Sequence, residues 1–341
     1  EPVSTRASLG APEEARASGP EAYRLALQKL AFEVSRRIND AIPISGSSLV
    51  TLALLGARGH ALTLQQIRAA IPGYLDFARR RGLPMTPTSA LDSDAAVVGV
   101  LEGLIAQGVA RSHVAGDRPV FGIAPEQHLA AAFYRNTIVH HFLSSSIAEL
   151  ALLGAAEQPS MDRAAAFESE ALAIRDLLKF DFFFGDREQF IASVEAEAST
   201  LAIDWRERLA AGPAGVATLL ETAPMLCSDM MLRSFFEAYA VVADVMASGD
   251  ASRPFEESDV IDQCMGLGQQ YLLQGRLRSP EAVSRHLFRA GIELARNRGL
   301  WSPTEGIDHR RRELAESLQA VLRRLSVVRR VAVQRVEHAL G

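Results

Sequence analysis

Apolar residues recur at helical spacing over 23–42, with Leu27, Leu30, Ala31, Val34 and Ile38 on one stripe, so an amphipathic helix is predicted there and Pro43 ends it. Ser47 or Ser48 is placed to cap a second helix running to Leu55, with Gly56 and Gly59 behind it. Thr63 followed by Gln66 has the form of a capping box, opening a third helix to Arg81 that should break at Pro72 and Gly73. Asp92 or Ser93 caps a helix over 94–107, and Gly108 supplies its left-handed end. Two short β-like pieces follow, 109–113 and 119–123, joined through Ala115, Gly116 and Asp117. Three helices and a hairpin predict a winged-helix-like α+β module within 23–124, its compact part at 43–124.

Beyond Pro125 no strand pattern of useful length occurs. Helical periodicity runs over about 125–155, 162–179, 186–211, 213–222, 228–247, 256–275, 279–299 and 308–340, punctuated by Pro159, Gly185, Pro213, Pro224, Pro254, Pro280 and Pro303. The predicted class is therefore mainly α: an all-α helical bundle over 125–341 with the small α+β module ahead of it. No fixed-period repeat marks a solenoid. Residues 1–22 are polar and rich in Ala, Gly and Pro and read as a linker; the chain opens at Glu1 without an initiator methionine, so it is expected to be a fragment or a processed piece.

Composition narrows what such a fold does. Hydrophobic residues make up 48% of the 341, enough for a sizeable core. The longest apolar runs, 49–57 and 147–156, fall well short of the ~18 residues that suggest a spanning helix, so any membrane contact is expected to be peripheral. A net charge of −5 argues against a surface that neutralises many nucleic-acid phosphates, and no nucleic-acid partner is expected. Cys227 and Cys264 make neither a disulfide framework nor a zinc site, so no metal or other cofactor is predicted and a cytoplasmic setting fits.

Transfer of a group to an alcohol needs a base beside the hydroxyl, usually a histidine held by a carboxylate. The residues five after His60, His113, His128, His140, His141, His286 and His309 are Gln65, Arg118, Phe133, Ser145, Ser146, Gly291 and Leu314, and His338 is too near the end, so no His-x-x-x-x-Asp is present. His113 and Asp117 come nearest, four apart across the hairpin turn, where turn chemistry alone accounts for the aspartate. His140 and His141 are adjacent; on a helix neighbours diverge by about 100° and do not ligate one metal from one face. Asn136 and His140, four apart, share a face if the helix continues, and with Arg135 they form the candidate ligand pocket; a polar helix-packing cluster is the competing reading. Gly266-Leu267-Gly268 lacks the third glycine of a dinucleotide fingerprint, and no Gly-x-Ser-x-Gly elbow, phosphate-binding glycine loop or His-Glu-x-x-His occurs.

Two basic clusters remain. In the last helix Leu314, Leu318, Val321, Leu325, Val328, Ala332 and Val336 form an apolar stripe, flanked by Arg310, Arg311, Arg312, Arg323, Arg324, Arg329, Arg330 and Arg335. Such a helix lies on anionic lipid or packs in a bundle with its arginines solvated or paired. Arg79, Arg80 and Arg81 form either a phosphate-binding cluster or an exposed helix end, where cations also suit the helix dipole.

Several stretches stand out as an ordered set: Glu1-Pro2-Val3; Ile38-Asn39-Asp40-Ala41 with the Pro-Ile-Ser-Gly-Ser-Ser-Leu-Val-Thr-Leu-Ala-Leu-Leu run of 43–55; Phe133-Tyr134-Arg135-Asn136-Thr137-Ile138-Val139-His140; Leu177-Leu178-Lys179-Phe180-Asp181-Phe182-Phe183-Phe184; and Tyr271-Leu272-Leu273-Gln274-Gly275-Arg276. Together they resemble the C-terminal region of bacterial membrane glycerol-3-phosphate acyltransferases and their dihydroxyacetone-phosphate relatives, actinobacterial members most of all. The resemblance implies an intact enzyme that transfers an acyl group from acyl-CoA or acyl carrier protein to the 1-hydroxyl of glycerol 3-phosphate, the first step of phospholipid synthesis. It also implies that the family's His-x-x-x-x-Asp, Gly-x-x-Phe-x-x-Arg and Phe-x-Glu-Gly-x-x-Ser-Arg motifs precede this chain; Glu305-Gly306 lacks the upstream Phe and the downstream Ser-Arg.

On that resemblance the chain holds no catalytic residue and packs on a preceding acyltransferase domain. Arg135, Asn136 and His140 are expected at a substrate or acyl-donor pocket. Arg79, Arg80, Arg81, Arg323, Arg324, Arg329 and Arg330 are expected at an anionic membrane surface or phosphate, on the cytoplasmic face of the membrane and without a transmembrane helix in this stretch. A winged-helix regulator whose bundle senses a ligand, and a helical adaptor, are the alternatives.

Overall fold

A computed structural model describes residues 20–57, 60–115, 118–159, 162–250 and 252–340. The 1–19 part of the expected linker, Gly59, the Gly116-Asp117 turn with its His113–Asp117 pairing, and the side chain of Val336 lie outside the described residues. The chain divides at Pro43 and Ile44 into two units. The described element of the first is α1 (Pro20–Asp40), where Arg36 pairs with Glu33 at 3.0 Å and Asp40 at 2.7 Å across single helical turns.

In the second unit α2 (Gly46–Gly56) is capped two residues before the earlier of the expected caps: Ser45 is the cap, and Ser48 is the partner that returns its side chain to complete the box at 3.0 and 3.1 Å. Nearly every residue of α2 is buried, and a Cβ on Gly46 would run into the Thr88 carbonyl oxygen and come within 2.9 Å of Val100 Cγ2. Gly46→Ala is therefore expected to cost about 1–3 kcal/mol, since backbone on the far side has to give way; the urea midpoint measures it.

The Thr63–Gln66 box forms as predicted, and it links β1 (Leu62–Thr63) to α3 (Leu64–Ala70). Pro72 breaks the run and opens α4 (Pro72–Arg80). Ser93 caps α5 (Asp94–Ala106), and Gly108 follows at φ 72°. The strands β2 (Arg111–Ala115) and β3 (Arg118–Gly122) lie within two residues of their expected places and pair with β1 in the antiparallel order β1-β3-β2. The two-residue β1 escaped prediction because it is too short to show alternation. Helix, short strand, helices, then a hairpin, in that sheet order, is a winged-helix arrangement.

The expected 125–155 helix is two helices, α6 (His128–Asn136) and α7 (Leu143–Glu157), separated by a 3-10 turn at Val139–Phe142 and bent by 63°. Burial makes the bend: Ile138, Val139 and Phe142 all turn inward, and the Phe142 ring packs on Tyr74 and Phe77 with centroids 5.5 and 5.0 Å away. The rest of the bundle is α8 (Arg163–Leu178), α9 (Arg187–Leu201), α10 (Trp205–Ala210), α11 (Pro213–Thr222), α12 (Ser228–Ser248), α13 (Glu257–Leu273), α14 (Arg285–Asn297) and α15 (Ile307–Leu340). The expected 186–211 segment divides where Ala202 becomes extended, which lets Trp205 insert against Phe167 at 4.8 Å.

At the centre α12 is buried on almost every side, covered by α7, α13, α14 and α15. The predicted stripe of α15 points inward, with Leu314, Leu318, Val321, Leu325 and Val328 all buried. Among the described residues no strand follows Gly122, and no single helix is long and apolar enough to cross a membrane.

Candidate functional site

Charged side chains inside an apolar helix need partners, and α12 supplies its own at i, i+4 spacing. Arg233 donates to Asp229 at 2.6 Å and to Glu237 at 3.4 Å, and its remaining Nη reaches Ser326 of α15 at 3.1 Å. The Glu237 carboxylate also accepts the backbone N–H groups of Arg278 and Ser279, at 2.9–3.2 Å, which fastens the α13–α14 connection to α12.

That connection then turns through a 3-10 segment, Pro280–Ala282, and presents Glu281 to α6. Arg135, only 4% exposed, donates to Glu281 at 2.8 Å, to Ser234 at 3.2 Å, and twice to the Asn136 side-chain oxygen at 2.9 and 3.1 Å. His128, at the start of α6, brings Nδ1 to 3.8 Å from the second Glu281 oxygen. These groups border a cavity of about 200 Å³, which Asp229, Met230 and Arg278 also line.

Burial alone would raise the Glu281 carboxyl, but the adjacent His128 and the Arg135 guanidinium outweigh it and hold it down to about 2. A contrasting carboxyl sits on α7: burial pushes Glu149 up to about 7, although it accepts the Cys227 and Ser228 N–H groups at 2.8 and 2.9 Å and so caps α12. Cys227 is no activated nucleophile, because burial, and then the Glu149 charge, push its thiol well above the ordinary value. The His128–Glu281 separation exceeds a hydrogen bond, and Glu281 already serves Arg135, so the two are not arranged as an oriented base. Among the described residues no three or more His, Cys, Asp or Glu side chains are grouped to hold a metal.

Of the three predicted pocket residues, only Arg135 lines this cavity. Asn136 is exposed and supports Arg135 from outside. The shared face of Asn136 and His140 is corrected: α6 ends at Asn136, and His140 lies in the 3-10 turn with its ring centroid 3.9 Å from that of His141. The expected divergence of the two histidine rings fails for the same reason.

The arginines also separate. Arg79 and Arg80 are exposed at the end of α4, whereas Arg81 is taken by the buried Glu197. Arg323 and Arg330 are exposed on α15 and Arg329 is half-buried. Arg324 is a correction: it is buried between Glu157 at 2.9 Å and Glu170 at 2.6 Å, which removes it from any outer surface. Sequence reasoning missed His128, Arg278, Glu281 and the Asp229–Arg233–Glu237 ladder. The ladder had a signal, three charges of alternating sign four apart in a mostly apolar helix; Glu281 had none. The α5 helix, which a winged-helix protein would lay in a DNA groove, carries no lysine or arginine.

Comparison with known proteins follows the same line. The sequence model of the family described as "Glycerol-3-phosphate acyltransferase C-terminal region" matches residues 1–304. The chain is 34% identical over 310 residues to "Putative acyltransferase plsB1" of Mycobacterium tuberculosis, covering 90% of this chain and 50% of that protein, and equally to its Mycobacterium bovis counterpart. It is 26% identical over 291 residues to a glycerol-3-phosphate acyltransferase of Aeromonas hydrophila, covering 83% of this chain and 34% of that protein. The chain spans about half the length of the first of these relatives.

Proposed function

Because the chain belongs to the glycerol-3-phosphate acyltransferase C-terminal region family, we propose that it is the non-catalytic half of an enzyme that moves an acyl group from acyl-CoA or acyl carrier protein to the 1-hydroxyl of glycerol 3-phosphate. The observation that supports this most is a family match across residues 1–304 in a sequence where no histidine stands five residues before an aspartate. A missing base leaves the chemistry to the half of the relatives that this chain does not cover.

The role that remains is mechanical. The region packs on an acyltransferase domain and helps it hold the acyl donor at the cytoplasmic face of a membrane, as a peripheral contact. The exposed Arg79, Arg80, Arg323 and Arg330 suit anionic headgroups. Leu129 and Phe133, one turn apart on α6 and 61% and 69% exposed, suit an apolar partner.

The test is complementation. The product of the full-length gene, its N-terminal half alone, this chain alone, and the two halves mixed are assayed with acyl-CoA and glycerol 3-phosphate. Turnover is expected in the full-length protein, none in this chain, and recovery in the mixture relative to the N-terminal half. Turnover by this chain alone, or a mixture no better than the N-terminal half, would sink the proposal.

A further inference from the structure

In the turn that follows α8, Phe180, Phe182, Phe183 and Phe184 surround a single acid, Asp181. The backbone N–H groups of Asp181 and Phe182 both donate to the Leu178 carbonyl oxygen at 3.1 Å, which folds the chain back on the end of the helix. Phe182 then turns inward, its ring centroid 4.9 Å from that of Phe235 on α12, and Phe184 packs edge-on against Phe190 of α9 at 5.4 Å. Phe180 and Phe183 stay at the surface, each 41% exposed.

Asp181 is half-buried between them. Its Oδ2 is closed off from water without a hydrogen-bond partner, and the carboxylate makes no ion pair among the described residues. Burial, with no charge to offset it, pushes this carboxyl up to about 7. The cations nearby in sequence are committed elsewhere. Lys179 donates to Asp176 and to Asn297 at the end of α14, both at 2.6 Å, and Arg298 donates to Asp176 at 2.8 Å. Arg175 donates to the Gly185 carbonyl oxygen at 2.7 Å and lies over the Phe184 and Phe190 rings. By contrast Glu281, Glu197 and Glu170 each hold an arginine.

A carboxylate drawn away from water without a donor costs free energy, and a cation brought from outside the chain removes that cost. Surface phenylalanines gain from apolar cover. An anionic lipid surface supplies the wrong charge, and hydrocarbon supplies no donor. A second copy docked turn to turn about a two-fold axis would set one Asp181 against the other.

We infer that the Phe180–Phe184 turn seats a segment of the preceding acyltransferase half that carries an arginine or lysine among apolar residues, the cation donating to Asp181 Oδ1 and the apolar residues covering Phe180 and Phe183. This rests on the reading that the chain packs on that half, and it assigns the place and the chemistry of one contact.

Hydroxyl-radical footprinting of the unaltered side chains tests it. Oxidation of Phe180, Phe183, Phe133 and Leu273 is followed by mass spectrometry in this chain and in the full-length product of the gene, with Leu273, 91% exposed, setting the rate of an open site. Asp181→Asn is made in both proteins.

Oxidation of Phe180 and Phe183 is expected to fall about tenfold in the full-length protein relative to Leu273. Asp181→Asn should restore most of it there, since loss of one charge-assisted hydrogen bond is worth about a factor of ten, and in this chain alone it should leave the melting temperature unchanged or raised. Phe180 and Phe183 oxidised equally in both proteins, with Phe133 protected in the longer one, overturns the inference and leaves the packing of the halves standing. No protection at any of the three rings overturns both. Protection that survives Asp181→Asn, or that appears in this chain alone and grows with its concentration, overturns the inference by showing cover without the cation or cover by a second copy.

Discussion

Glu281→Ala is expected to destabilise the Ile44–Gly341 unit by about 3–5 kcal/mol, read from the denaturant midpoint, because it leaves the Arg135 guanidinium buried without a counter-charge. Arg135 would keep only Ser234 and the Asn136 oxygen, neither of which carries charge. Arg135→Ala should cost a similar amount, this time by stranding the Glu281 carboxylate. The double variant Arg135→Met with Glu281→Leu is expected to lose less than either single change, since it removes both desolvation costs together. A single-variant loss under about 1 kcal/mol would mean that water reaches the pair in solution.

Acid adds a second reading of the same pair. The folded Glu281 carboxyl is held below its unfolded value, so its stabilisation is complete above about pH 4.5 and is lost as the pH falls toward about 2. The Glu281→Ala protein should lack that portion of the acid transition.

Glu149 has the opposite sign. Its folded value is raised to about 7, so the folded state holds a proton that the unfolded chain releases near pH 4.5, and stability should decline as the pH rises between those values. The full span is on the order of 3 kcal/mol. Glu149→Gln should flatten this slope while lowering the plateau, because an amide accepts one of the two α12 N–H groups and faces the other with a donor. Glu149→Ala, which leaves the Cys227 and Ser228 N–H groups without their acceptor, is expected to cost about 2–4 kcal/mol across the whole range. Parallel pH profiles in wild type and Glu149→Gln would show that the carboxyl is already ionised in the folded protein.

Local signals were legible where the physics is local. Thr63 with Gln66, Ser93, Pro72 and Gly108 act through bonds or sterics within four residues, and each does what its spacing announces. The break at 139–142 was illegible because the rings that draw Phe142 inward belong to Tyr74 and Phe77, far upstream. Arg135 stood out in a distinctive stretch, but its partner lies 146 residues later on a short turn of no particular pattern. Arg324 looked like one of a row of surface arginines, and only the approach of α7 and α8 made it an interior ion-pair residue.

The long helix α15 sets the order in which the unit is completed. Its 34 residues extend about 51 Å, and its inner stripe covers α12 and α7 while Arg324 closes on Glu157 and Glu170. On the ribosome, α12 is finished roughly 80 residues before Val328 emerges, several seconds at ~5–20 residues per second. Through that interval the side of α12 that α15 covers lacks its partner, and two carboxylates on α7 and α8 are without their arginine. A chain ending before α15 is therefore expected to leave that side of α12 open and Glu157 and Glu170 without Arg324, and to aggregate more readily than the whole chain.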